Sequence, residues 1–248
     1  MRLSHVPTQH VNWIAHGCGV VSLQRVRRTG APSTGGCHVC PRRNCRVGKR
    51  VVAAVAKRLS SVPASRKGRA RESASYYYSL PHLRVKGTVT REGQPLTVSG
   101  SAWLDHEWSS QYLEKDAIGW DWIGINLEGG GALMAFRMRD KAGASHWAGG
   151  TLRRPDGTTR VFSPSEVRFA PRREWRSART GASYPVSWVV RAGDLELAIE
   201  PLFDDQEHDT RATSGTIYWE GAVRALRDGK LAGLGYLELT GYWRRLDL

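Results

Sequence analysis

The residues from Ser101 to Ser110 read Ser-Ala-Trp-Leu-Asp-His-Glu-Trp-Ser-Ser. Asp105, His106 and Glu107 place two carboxyls around an imidazole, flanked by the indoles of Trp103 and Trp108. Such types suit proton transfer beside an aromatic face that can stabilise positive charge. A second cluster is Gly119-Trp120-Asp121-Trp122-Ile123-Gly124. On a strand, Trp120 and Trp122 point to one face and Asp121 to the other. Facing a dry cavity, an Asp in such an apolar strand would have its pKa raised, which makes Asp121 a candidate general acid. The plainer readings stand beside these: Asp105 as a turn cap, His106 as a hydrogen-bonded surface ring, the tryptophans as core. Asp204 to Asp209 is acidic but lacks the glycine and spacing of a calcium loop, so it reads as a solvated loop. GxGxxG, P-loop, GxSxG and HExxH motifs are absent, so nucleotide-dependent and zinc-protease chemistry have no support. No metal or cofactor is expected.

The elements that must position these groups read as antiparallel β. Leu83 to Thr90 alternates with period two, Arg91 to Gln94 is a turn, and Pro95 to Ala102 returns, which is a hairpin pattern. Further strands are expected at Ile118–Leu127, Ala132–Arg139, His146–Arg153, Thr159–Phe162, Val167–Ala170, Tyr184–Arg191, Leu195–Leu202, Thr216–Leu226 and Leu231–Tyr242. Glycine-rich turns separate them, including Pro155-Asp156-Gly157 and Arg227-Asp228-Gly229-Lys230. No ten-residue stretch has a helical apolar period. Short strands at this spacing indicate a barrel or sandwich, and heavy Trp and Tyr use suggests a barrel with a roomy apolar interior.

The chain has 248 residues and a formal charge of +14. That charge is confined to one end. Up to Arg71 there are 15 Lys and Arg and no Asp or Glu, leaving 22 basic and 23 acidic residues beyond it. The later part therefore has no electrostatic reason to bind nucleic acid. All four cysteines also lie in the first part, and of 22 aromatic residues only Trp13 precedes Tyr76. Cys37-His38-Val39-Cys40 with Cys45 makes a weak zinc pattern, since no second pair lies at finger spacing. No signal peptide is recognisable, and no apolar run approaches the roughly 18 residues that span a bilayer. Residues 1–72 are expected to be a basic, disordered or non-native segment, such as an out-of-frame reading of a GC-rich gene gives.

Several motifs carry a family likeness. Ser75-Tyr76-Tyr77-Tyr78-Ser79, Gly100 to Trp108, Gly119 to Trp122, Tyr218-Trp219-Glu220-Gly221 and Gly235 to Tyr242 occur in order. Over Ser73 to Trp243 the chain resembles the carotenoid 1,2-hydratase and AttH family of lipocalin-like secreted hydrolases, which includes kievitone hydratase-type enzymes. The resemblance implies an all-β fold: a lipocalin-like antiparallel β-barrel over 116–248, the second domain of a two-barrel family, with 73–115 as the remnant hairpin of the first. It implies cofactor-independent hydration of a C=C bond in an apolar, terpenoid- or polyketide-like substrate. Asp121 would donate the proton, His106 would orient water or Asp121, and Trp108 would stabilise the cation. Trp103, Trp120, Trp122, Tyr218 and Tyr236 would line the substrate site. The family's tyrosine near that Asp is missing, since Ile118-Gly119 stands there. The alternative implied by AttH proteins is a non-catalytic binder of a hydrophobic ligand, with ABC export transporter components as partners. Family members are often periplasmic or membrane-associated. For the enzyme, Asp121 must reach a cavity beside His106; for the binder, it should be held in a salt bridge.

Overall fold

The computed structural model describes the backbone of residues 9–15 and 19–28, then residues 64–246 apart from 71, 92 and 109–112. Side chains are described from Ser65 onward, excluding those at 89–91, 96 and 108. The proposed zinc pattern at Cys37 to Cys45 lies outside the described residues. So does most of the segment expected to be disordered. Residues 64–70 do not fit that expectation, because they are built into the fold.

Two antiparallel sheets make up the described residues. The first has strands β1 (Gln9–Ala15), β2 (Gly19–Arg28), β3 (Ala64–Arg66), β4 (Ala74–Arg91) and β5 (Gln94–Trp108), in the order β1-β2-β5-β4-β3. The second has β6 (Ala117–Leu127), β7 (Ala132–Asp140), β8 (Ser145–Arg153), β9 (Thr159–Phe162), β10 (Val167–Arg176), β11 (Ser183–Ala192), β12 (Leu195–Pro201), β13 (Glu207–Asp209), β14 (Ile217–Arg227) and β15 (Lys230–Leu239). Their order is β10-β11-β12-β14-β15-β6-β7-β8-β9, with β13 also paired to β14. This sheet curls into a lipocalin-like barrel. A 3-10 turn at Pro164–Glu166 joins its two edge strands, and Gly193 N–H donates to Glu166 C=O at 2.9 Å, extending the β10–β11 ladder by one step.

The turns fix the registers. Asp228 and Gly229 both take positive φ, 51° and 73°, as a two-residue type I′ hairpin loop requires. That loop pairs Arg227 with Lys230 and, with a bulge at Ala225/Leu226, sets Glu220 opposite Glu238.

Alternation then sorts the side chains. Ile123 and Ile125 of β6, Leu133 and Ala135 of β7, Leu237 and Leu239 of β15, and Val186, Trp188 and Val190 of β11 all point inward. Trp188, Trp219 and Tyr184 are completely buried. Each such burial contributes about 1.5–3 kcal/mol. The barrel interior is therefore largely packed by the large rings, less roomy than expected, with a cavity of about 530 Å³ beside Arg137, Val167 and Phe169.

The long β4–β5 hairpin lies against the barrel's outer face. At Pro81-His82 the β4 register skips, and His82 takes a φ of 54°. There His82 N–H donates to Asn126 Oδ1 at 3.0 Å, and its Nε2 bonds Gly131 O at 2.8 Å. At the other end Trp147 Nε1 donates to Arg66 O at 3.1 Å, and Glu114 pairs with His146. The acidic run at Asp204 to Asp209 is not simply a solvated loop. Gln206 and Glu207 are buried, and β13 adds to the sheet.

Candidate functional site

A cleft of about 650 Å³ opens between the first sheet and the outer face of the barrel. The outward residues of β6, β7 and β8 make an apolar wall that includes Trp120, Trp122, Met134, Phe136, Met138 and Trp147. Gly149 lies against the Phe136 ring and adds no side chain to this wall, so the space stays open. From the first sheet come Lys67, Tyr77, Asp105 and Glu107, and from β14 and β15 come Glu220, Tyr236 and Glu238. An aromatic pocket with a few convergent polar groups is the usual form of a small-molecule site.

Three carboxyls converge there. Asp105 Oδ1 accepts from Tyr77 Oη, from Ser79 Oγ at 2.7 Å and from Trp103 Nε1 at 2.8 Å. Burial pushes Asp105 up to about 6, against those three hydrogen bonds. Burial also pushes Glu238 up to about 7, opposed by a hydrogen bond from Trp120 and reinforced by the charge of Asp105. Glu220 is raised well above the usual carboxylate range by burial, then by the nearby charges of Glu238 and Asp105. Tyr236 and Tyr218 both bond to Glu220. Lys67 faces the group and is ion-paired with Glu107. Burial lowers Lys67 to about 8, partly offset by Glu238 and Asp105. Carboxyls poised between 6 and 7 in an apolar cleft can give or take a proton near neutral pH.

Asp121 and His106, two of the three expected catalytic residues, do not line the cleft. Asp121 points the other way from Trp120 and Trp122, into the barrel. Its Oδ2 accepts from Arg137 Nε at 2.6 Å, and its Oδ1 from Arg139 Nε at 3.1 Å and Tyr242 Oη at 2.9 Å. Arg137 in turn lies over the Trp188 ring, 5.1 Å from its centroid. Asp121 is completely buried, its oxygens are engaged, and none faces the cleft. His106 is not among the cleft walls; its ring packs on Tyr78 with centroids 5.4 Å apart. The Trp108 side chain lies outside the described residues. The reason is parity. The Ser101 to Trp108 cluster is part of β5 and not a loop after it, so Asp105 and Glu107 face the cleft while His106 faces away.

Of the five residues expected to line a substrate site, three border the cleft and two stand behind its walls. Trp120, Trp122 and Tyr236 are walls. Trp103 stands behind them, edge-on to Trp122 at 6.2 Å, and Tyr218 stands behind Glu220. Trp122 also bonds Tyr77, which bonds Asp105. Every one of these indoles and phenols is thus tied to an acid or to its partner. Sequence reasoning passed over Glu220 and Glu238 as site residues. The signal was the one that singled out Asp121, an acidic residue in an apolar strand, here two positions after a tyrosine in both cases.

The missing tyrosine has a structural counterpart. A Cβ on Gly119 would overlap the backbone of Thr240 and Gly241, so β6 and the end of β15 pack too closely there for any side chain.

The AttH-like family matches residues 60–242. The crystal structure of a protein assigned to AttH from Nitrosomonas europaea superposes with a TM-score of 0.71 at 50% identity, over 80% of this chain and 60% of that one. Kievitone hydratase from Nectria haematococca superposes with a TM-score of 0.58 at 19% identity, over 73% of this chain and 56% of that one, a likeness of fold alone. The chain thus spans less than two thirds of the length of both. No curated protein matches it. With the family covering most of the chain and half the residues identical across the shared part of a solved relative, the chain belongs to the AttH-like family.

Proposed function

We propose that the chain binds an apolar small molecule in the cleft between the first sheet and the barrel. The observation that carries this reading is the cleft itself: about 650 Å³ of space walled by indoles, thioethers and a phenyl ring, on the outside of a barrel that holds a packed core. The engagement of Asp121 by two arginines supports binding over the Asp121-centred hydration that the motifs suggested. On this reading an ABC exporter would be the partner that passes the ligand on. Titration with a long-chain alkyl probe, read by the fluorescence of Trp120, Trp122 and Trp147, tests it. Saturable quenching that weakens in Trp122→Ala supports the reading, and no saturable signal overturns it.

A second reading has a specific observation in its favour. Glu238, Glu220 and Asp105 offer protons inside the cleft, so acid-assisted addition of water to a C=C bond of a bound terpenoid- or polyketide-like molecule fits as well. The carboxyl would protonate one carbon, water would attack the other, and the carboxylate would recover the water's proton. Incubation of the full chain with an isoprenoid alkene, followed by mass spectrometry for the added water, separates this reading from binding alone.

A further inference from the structure

We propose that the ligand class of this cleft is an apolar molecule ending in a protonated amine, held by Asp105, Glu220 and Glu238. The inference rests on the cleft being a ligand site, as proposed above, and adds what its polar end selects.

The argument is one of matching charge and donors. Three carboxyls from two sheets converge at one end of an aromatic cleft, and Glu107 makes a fourth. Among the described residues that line it, the cations are Lys67 and Arg66. Lys67 is ion-paired with Glu107. The Arg66 guanidinium is spent elsewhere: it bonds Gly68 O at 3.2 Å and Arg69 O at 2.6 Å and lies over the Trp147 ring. Glu220 keeps its proton, but Asp105 and Glu238 can ionise near neutral pH, and Lys67, already paired with Glu107, is the cation that faces them, so a bound cation finds carboxylate charge to balance and a third carboxyl oxygen to donate to. An alkyl carboxylate would add another like charge at short range, which is unfavourable in a desolvated site. An alcohol offers one donor. An ammonium offers three donors and a charge of the right sign, so it can meet all three acids at once. The indoles complete the fit. Trp120 donates its N–H to Glu238 and Trp122 donates to Tyr77, which turns both rings into the cleft as walls that a cation can also contact through its faces. The alkyl portion then runs along Met134, Phe136 and Met138.

The test uses the full chain and three probes of equal length: dodecylamine, dodecanol and dodecanoate, each below its aggregation threshold, by titration calorimetry. The expected order is amine tightest, by about tenfold over the alcohol, with the carboxylate weakest. Bulk charge works against this order, because the chain carries +14 and attracts the carboxylate nonspecifically. Glu238→Gln and Glu220→Gln, each checked for an unchanged circular dichroism spectrum, are expected to cut the ratio of amine to alcohol affinity several-fold. Equal binding of the three probes, or a preference for the carboxylate, overturns the amine assignment and leaves the cleft-binding reading standing. Failure of all three to bind overturns both.

Discussion

Glu220 and Glu238 stand directly opposite each other on β14 and β15, both turned out of the barrel into the cleft. Like charges opposite one another across strands are destabilising. Here the folded state avoids the cost by holding protons that the unfolded chain releases. Glu238 rises from 4.5 to about 7, and Asp105 from 3.8 to about 6. The stability these groups lend is full at low pH and is lost as pH rises through that window. Lys67, Tyr77 and Tyr236 face the same carboxyls, but Lys67 titrates only near 8 and both phenols are raised above their ordinary value. The melting temperature should therefore fall between about pH 4.5 and pH 7.5, at up to about 1.4 kcal/mol per pH unit for each proton held. Glu238→Gln should flatten that slope and raise the melting temperature at the upper end. Thermal denaturation of both chains across the window checks this, and parallel slopes would refute it.

Asp121→Asn separates a structural from a catalytic role. The amide keeps the shape and removes the charge that Arg137 and Arg139 share. Removing one partner from a buried ion pair costs about 3–5 kcal/mol. At this chain length that lowers the melting temperature by more than about 6 °C. Probe affinity in the cleft should stay within about twofold, since Asp121 faces away from it. A stable variant that had lost a hydration activity would return Asp121 to the role of acid.

The strands were legible because their signal is local. Period-two alternation and glycine turns placed all of β6 to β12, β14 and β15 to within a few residues, although β10 runs through Pro171 to Arg176, beyond the Val167–Ala170 that alternation marked. The site was not legible, because it forms only when the β4–β5 hairpin docks on the barrel. Lys67, Asp105, Glu220 and Glu238 are far apart in sequence, and although the last three fall in separate family motifs, no spacing says that those motifs meet. Parity along β6 says only that Asp121 opposes Trp120 and Trp122, not which of the two faces borders the cleft. The tryptophan face borders the cleft, and the aspartate face lies in the core.

Glu207 carries a separate load at the far end of the barrel. Its carboxylate accepts from Ser177 Oγ at 2.7 Å, Thr180 Oγ1 at 2.6 Å and Tyr184 Oη at 2.9 Å. These bonds tie β13 to β11 and to the loop that precedes it. Glu207→Ala would leave three hydroxyls without an acceptor, at about 1–3 kcal/mol for each that stays dry. Urea denaturation should show a loss of at least about 3 kcal/mol. Glu207→Gln should lose less, because the amide oxygen still accepts. An alanine variant as stable as the parent would mean that water replaces the carboxylate at no cost.

Gly124→Ala tests the cleft wall from behind. Gly124 lies under the indoles of Trp122 and Trp103, and a Cβ there would overlap both rings. Trp122 is the ring that must give, since Trp103 is buried and bonded to Asp105. Its displacement breaks the bond to Tyr77 and pushes the indole into the space a ligand would use. Overpacking of this kind costs about 1–3 kcal/mol of stability. The larger effect should be on binding: dodecylamine affinity should fall by about tenfold or more. Barrel melting should fall less than in Asp121→Asn, because the methyl sits on the outer face and the ion pair on the inner one. The two variants thus form a crossed pair, one losing mainly ligand and the other mainly fold. If Gly124→Ala binds the amine as tightly as the parent chain, Trp122 is not a wall of the occupied site.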